Sequence, residues 1–353
     1  MMPEWNRATA PTARSGIDGC ATRRFGAQGV SILLLLRCNA VRRRLHTPFS
    51  LAVLVAAVLA QCGLAASGVV PWQGSRSSMP ASMPASASAV SRTLTAVDSG
   101  SARRLDAAFR RFGYRLDDVA NGGAAVPRLV VAAIPADLDR LPAPETRKDV
   151  FLRLMLPLVL IADEQVAAER RRLEGLVALK RQGKPLEASQ TAWLEGLAVR
   201  YEVPPGPRQL AELLKRVDVV PPSLALAQAA LETGWGTSHL ARRGNNLFGQ
   251  NLEDGGEVVG QARFGTLLDA VRSYVHNLDT HRAYRAFRRA RAQARGQGGR
   301  PEGLALARTL TAYSELGRDY VDDVRAVIRA NALDRFDGAR LDDRSGGQPS
   351  RGI

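Results

Sequence analysis

From about Arg147 to Gln182 the chain carries one unbroken helical pattern, RKDVFLRLMLPLVLIADEQVAAERRRLEGLVALKRQ, with apolar side chains recurring at three- and four-residue spacing. A period of about 3.6 sustained over that length does not suit a strand, so one long helix is expected, with a bend at Pro157. Its apolar stretch, Phe151 to Ile161, is short and interrupted by Arg153, which argues against a membrane span. Asp163 and Glu164 read as a charged turn at the end of a buried helix. Aromatic residues make up only 5% of the chain, and Ala and Arg are abundant, which favours helices over sheet. The expected class is mainly α.

Other segments carry the same signal. SARRLDAAFRRFGYRL, from Ser101, shows helical spacing of Leu105, Ala108 and Phe112. RLVVAAI, from Arg128, suits either a short strand or an extended segment before a helix capped by Asp137. Helices are expected at about Ser189 to Tyr201 and Pro207 to Val217. Further on, Thr266 with Asp269 makes a capping-box pattern for LLDAVRSYVHNL, Thr280 can cap HRAYRAFRRARAQA, Pro301 opens EGLALARTLTAYSEL, and Gly317 closes it. A last helix is expected from about Asp319 to Ala332. The organisation is then an N-terminal extension with a signal peptide or anchor (1–70), a disordered Ser/Ala/Pro linker (71–100), a helical region (101–203), a second domain (204–335) and a disordered tail (336–353).

RRRLH at Arg42 to His46, followed by the apolar run Ser50 to Val70, has the order of a basic and then a hydrophobic signal region, and Ala65, Ala66 and Ser67 permit cleavage. A membrane anchor is the alternative, as is lipidation at Cys62, for which Gln61 is a poor fit. Some 40 residues precede the basic cluster, which suggests translation from near Val41. The expectation is a periplasmic or envelope protein, monomeric, touching membrane only through this segment if it is uncleaved. The three cysteines are Cys20, Cys38 and Cys62, so the rest of the chain has no internal disulfide, cysteine zinc site or thiol nucleophile. No metal and no cofactor are expected.

The formal net charge of +15 predicts attraction to a polyanion, whether nucleic acid, an anionic membrane face or an anionic wall polymer. Arg282, Arg285, Arg288, Arg289, Arg291 and Arg295 cluster on one helix, but no reading motif or aromatic interleaving accompanies them, and nucleic acid is set aside. His276 and His281 have no acidic or cysteine company and read as structural.

In VPPSLALAQAALETGWG, Pro221 or Pro222 suits a first helical turn and Gly234 the position just past the end. Leu224, Ala227 and Leu231 share one face; Ala225, Gln228 and Glu232 share another. Glu232 thus ends an apolar helix among small side chains. Partial desolvation and the negative end of the helix dipole both raise the pKa of a carboxyl there, and a general acid must hold its proton near neutral pH. Small neighbours leave room for substrate, and Trp235 offers a plate for a sugar ring. The plainer alternative is a cap, or a pair with Arg242 or Arg243.

ALETGWGTSHLARRGNNLFGQ resembles the signature of bacterial glucosaminidases of glycoside hydrolase family 73, the domain type named after mannosyl-glycoprotein endo-β-N-acetylglucosaminidase. More narrowly, VPRLVVAAIPADL, RKDVFLRLMLPLVLIADEQVAAERRRL, VRSYVHNLDTHRAYRAFR and YSELGRDYVDDVRAVI are similar to the bacterial Bax proteins. The likeness covers roughly residues 105 to 332. It implies a lysozyme-like helical domain with a small β-hairpin lobe, acting on the β-1,4 bond after N-acetylglucosamine in the glycan strands of peptidoglycan. It places the catalytic glutamate at Glu232 and a catalytic tyrosine at Tyr313, and puts Asn246 and Phe248 at the cleft floor. With Trp235 and with Gln228, which shares the face of Glu232, these make up the expected substrate-binding set. The resemblance also implies a second acid in the hairpin after NLFG. QNLEDGGEVVGQARFG is short and glycine-rich there, and Glu257 on the second strand is preferred over Glu253 and Asp254, which look like turn residues. A lytic transglycosylase and a non-catalytic wall-binding module are the alternative functions.

Overall fold

The computed structural model describes residues 94–98, 100–254 and 257–343, apart from the side chains at 253, 254 and 257. The expectations placed on residues 1–93 (leader, anchor, lipidation, start near Val41 and most of the linker) lie outside these residues, as does the tail beyond Asp343.

Strand β1 (Thr95–Val97), helices α1 (Ala102–Arg111) and α2 (Leu116–Ala120) and strand β2 (Leu129–Val131) precede the long helix α3 (Pro144–Arg181). Pro144 opens α3, where its missing N–H costs nothing, and Pro157 sits inside the helix without ending it. Every residue from Val150 to Asp163 is buried. A helix that is apolar all round must be covered on all sides. The cover comes from α1, β2, and two later helices, α6 (Pro222–Thr233) and α8 (Leu267–Thr280). Residues on both sides of the expected boundary at 203/204 therefore share one hydrophobic core. Beyond Asp163 only Leu173, Leu176 and Val177 are buried, and they make a second, smaller cluster with α4 (Ala188–Arg200) and α5 (Gln209–Arg216).

Three charged side chains inside α3 have specific partners. Arg153 lies between Asp106, at 2.6 Å, and Asp149. Asp163 accepts the Val220 N–H at 3.0 Å, and burial pushes its carboxyl well above the usual range. Glu164 takes the Arg128 guanidinium on both oxygens, at 2.7 and 2.8 Å. Asp163 and Glu164 are structural, as expected, but the helix runs on past them.

Several boundaries differ from the sequence reading. RLVVAAI contains a strand, since β2 pairs in parallel with β1, and β1 falls at Thr95–Val97, inside the span expected as linker. Asp137 caps no long helix; its carboxylate takes the Ala102 N–H at 2.7 Å, and only the 3-10 turn Leu138–Arg140 follows. Thr266 does cap α8, accepting the Asp269 N–H at 3.1 Å. Thr280 is the last residue of α8, its hydroxyl turned back to the His276 carbonyl, and α9 (Arg285–Gly296) is entered through a 3-10 turn at Arg282–Tyr284. The helix expected after Pro301 breaks into α10 (Gly303–Leu306) and a 3-10 turn, Ala307–Thr309, ahead of α11 (Arg318–Ala330).

Nor does a disordered tail start at Phe336, which is fully buried. The first turn of α6 has N–H groups with no helical acceptor, and Asp337 supplies one. Its carboxylate takes the Ser223 N–H and hydroxyl at 2.8 and 2.9 Å and the Gly303 N–H at 3.2 Å.

The arginine-rich helix α9 is turned partly inward. Arg288 and Arg291 are buried, and Arg295 pairs with Asp218. Arg291 donates to the carbonyls of Lys215, Arg216, Asp218 and Val219 and to Asp279 at 2.6 Å. Only Arg282, Arg285 and Arg289 of the six face solvent.

Candidate functional site

Helix α6 is buried along almost its whole length and stops abruptly. Gly234, Trp235 and Gly236 all have left-handed backbone, with φ of 56°, 61° and 81°. Thr233 holds this turn together: its hydroxyl donates to the Ala229 carbonyl at 2.6 Å and accepts the Gly236 N–H at 2.8 Å. Gly236 has no room for a side chain, since a Cβ would come within 2.8 Å of Leu138. The sequence ETGWG is thus a stop signal that leaves Glu232 on the last turn, half-buried.

Helix α7 (His239–Gly244) leads into NNLFG and then the hairpin of β3 (Asn251–Asp254) and β4 (Glu257–Gln261). Asn246 is buried and pins the hairpin base. Its amide donates to the carbonyls of Gln250 and Ala262 at 2.7 and 3.0 Å, and its oxygen accepts the Gln250 N–H at 2.9 Å. The chain thereby passes Gly249 over the end of α6. A Cβ at Gly249 would stand 2.7 Å from Glu232 Oε2, and its φ of 63° also calls for glycine.

The other oxygen of Glu232, Oε1, accepts a hydrogen bond from the Tyr320 hydroxyl at 2.9 Å. Tyr320 in turn accepts from Gln228 Nε2 at 2.9 Å, and Gln228 Oε1 accepts from the Tyr274 hydroxyl at 2.8 Å. Rings stack around this line: Phe248 on Tyr274 at 3.9 Å and Tyr313 on Tyr320 at 5.3 Å. Burial raises the pKa of Glu232, and the Tyr320 hydrogen bond partly opposes it. Arg242 is not its partner; that guanidinium goes to Asp139 and to the carbonyls of Ala136 and Thr237.

The structure brings Glu232, Gln228, Phe248 and Tyr313 into one block but changes what three of them do. Gln228 is 0% and Phe248 1% exposed, so neither offers a surface to substrate; Gln228 bonds Tyr320 and Tyr274, and Phe248 stacks on Tyr274. Asn246, at 1%, holds the hairpin. The Tyr313 hydroxyl is spent on the Phe248 carbonyl at 2.9 Å, and the residue stands in a turn rather than a helix. Trp235 stays half-buried, edge-on to Phe151 at 5.9 Å, with the Lys148 ammonium 5.4 Å above its ring. The backbone of Glu257 opens β4 opposite Asp254; Glu253 and Asp254 are strand residues of β3 instead of turn residues, because only Gly255 and Gly256 separate the strands.

Tyr320 and Tyr274 were missed. Tyr320 lies on the buried face of α11 with Val324 and Ile328, and a buried tyrosine needs a partner for its hydroxyl; that was the available signal. His276 is exposed, though the partial desolvation of its ring lowers its pKa, and His281 caps the turn into α9. Among the described residues no three His, Cys, Asp or Glu converge as a metal site, and no helix is long and apolar enough to cross a membrane.

In comparisons with known proteins, residues 208–333 match the glucosaminidase family described as mannosyl-glycoprotein endo-beta-N-acetylglucosaminidase. Protein bax of Escherichia coli (strain K12) is 36% identical over 205 residues, covering 55% of this chain and 73% of that protein. No solved structure matches. A glucosaminidase domain points to a glycosidase with a glycan substrate, and on this similarity the chain belongs to the Bax family of glucosaminidase-domain proteins.

Proposed function

We propose that the protein is an exported peptidoglycan hydrolase, an endo-β-N-acetylglucosaminidase that cleaves the β-1,4 bond after N-acetylglucosamine with Glu232 as general acid. The supporting observation is the state of that carboxyl: half-buried, raised in pKa, bonded through Oε1 to Tyr320, and open at Oε2 beside Gly249. A carboxyl so placed keeps its proton at a pH where an ordinary glutamate has lost it, and delivers it to the glycosidic oxygen as the bond breaks. Glu257, at the tip of the neighbouring hairpin, is proposed as the second acid, and Trp235 as a plate for a sugar ring. Positive charge suits a wall polymer that carries free carboxylates. Export is proposed through the basic and apolar run from Arg42 to Val70.

The test is digestion of purified peptidoglycan with product analysis. Hydrolysis leaves a free reducing N-acetylglucosamine; an anhydro-sugar would indicate a lytic transglycosylase instead, and binding without release a non-catalytic module. Glu232→Gln keeps the shape but has no transferable proton, so the rate should fall at least ~100-fold with sacculus binding retained. A reporter fused after Ala89 should be active outside the cytoplasm; retention inside would overturn the export proposal.

A further inference from the structure

We propose that Tyr274, Gln228 and Tyr320 form a one-way hydrogen-bond relay that holds the transferable proton of Glu232 on Oε2, the oxygen beside Gly249. This rests on the reading of Glu232 as the acid, and it makes Gln228 and Tyr274 positioning residues.

The direction of the line follows from what each group is able to donate. An ionised carboxylate only accepts, so the Tyr320 hydroxyl must donate to Oε1. Its oxygen is then left as an acceptor, and the neighbour at 2.9 Å must be the NH2 end of Gln228. That orientation turns the amide oxygen towards Tyr274, whose hydroxyl donates to it at 2.8 Å. Gln228 is fully buried, and reversing one bond would leave a buried donor facing a donor.

When Glu232 takes up a proton, Oε1 is already committed to accepting, so the proton goes to Oε2. That oxygen lies where Gly249 leaves space, and Oε1 becomes the carbonyl end of the acid. Among the described residues, the titratable groups that face Glu232 are Tyr320 of α11 and Tyr313 of the preceding turn, both phenols that remain protonated because burial raises them. No described cation pairs with the carboxylate, and its two oxygens differ in that Oε1 accepts from Tyr320 while Oε2 lies beside Gly249.

The experiment reads the carboxyl itself. The infrared C=O band of protonated Glu232, isolated as the difference between wild type and Glu232→Gln, should lie low because Oε1 accepts a hydrogen bond. Tyr320→Phe keeps the ring stack and should move the band to higher frequency. It should also raise the titration of the carboxyl, followed by carbon-13 NMR, by about one unit, the worth of one charge-assisted hydrogen bond. Gln228→Met and Tyr274→Phe should shift both signals in the same direction by less, lowering kcat with KM unchanged. A band that moves in Tyr320→Phe but in neither of the other two overturns the relay, and one that moves in none overturns the proton's placement. Should Gln228→Met fail to fold, Tyr274→Phe decides alone. Wild type that releases no sugar would defeat the hydrolase reading, whereas the spectra still decide the relay.

Discussion

A side-chain carbon at Gly249 would stand 2.7 Å from Oε2 of Glu232, closer than such atoms approach in folded proteins. The glycine is therefore part of the acid's environment. Gly249→Ala should lower the rate of glycan cleavage at least tenfold by displacing the carboxyl. The left-handed φ of 63° should cost roughly 1 kcal/mol of stability, leaving the fold intact. Thermal melting beside an activity assay checks both; wild-type activity in a folded Gly249→Ala protein would mean that Oε2 is not the working oxygen.

Cleavage should fall as pH rises through the pKa of Glu232, which burial places above the ordinary glutamate range. The Tyr320 hydrogen bond favours the charged form, so removing it raises the pKa. The alkaline limb of the pH–rate profile should then move to higher pH in Tyr320→Phe. Movement to lower pH would contradict the assignment.

Arg291 ties four backbone carbonyls between Lys215 and Val219 to Asp279, and both side chains are wholly buried. Arg291→Met would strand the Asp279 carboxylate, whose pKa burial already pushes up to about 7, and take a donor from each of those carbonyls. Breaking such a pair from one side costs about 3–5 kcal/mol. Denaturant unfolding should show this loss, larger at alkaline than at acid pH because a protonated Asp279 is cheaper to leave buried.

The helical periodicity around Phe151, the cap at Thr266 and the stop at Gly234 were legible because each is local: a period, a side-chain acceptor, a residue free to take positive φ. Glu232 was legible for the same reason. What escaped was set by contacts between distant segments. Gln228 and Glu232 share a helix face, but nothing local says that Tyr320, 88 positions on, closes the gap to both. Phe336 looked like the start of a polar tail because a single buried ring carries no periodicity. Arg288 and Arg291 carry no local sign of burial because most of their acceptors are backbone carbonyls, which any sequence has.

Asp337 is one of these distant contacts, and it yields a sharp test of the C-terminal segment. Its carboxylate receives two backbone N–H groups and the Ser223 hydroxyl, joining the start of α6 to α10. Asp337→Ala removes all three acceptor sites and should destabilise the protein by about 2–3 kcal/mol. Truncation before Asp337 should cost at least as much, whereas truncation after Asp343 should cost less. Equal melting temperatures for all three would show that the segment does not support the fold.

The raised pKa of Glu232 also has a consequence for stability, independent of any substrate. Between the ordinary glutamate value and the higher folded value, the native protein binds more protons at this site than the unfolded chain. Its contribution is therefore fully present below the unfolded pKa and is lost as pH rises through the folded one. Glutamine does not titrate, and its amide oxygen still accepts from Tyr320. Glu232→Gln should thus match wild type in acid and exceed it near neutral pH, the gap opening across that window. Unfolding measured at several pH values checks this. A difference that stays constant with pH would mean that the fold does not hold this carboxyl in its protonated form, and the case for Glu232 as a general acid would lose its physical basis.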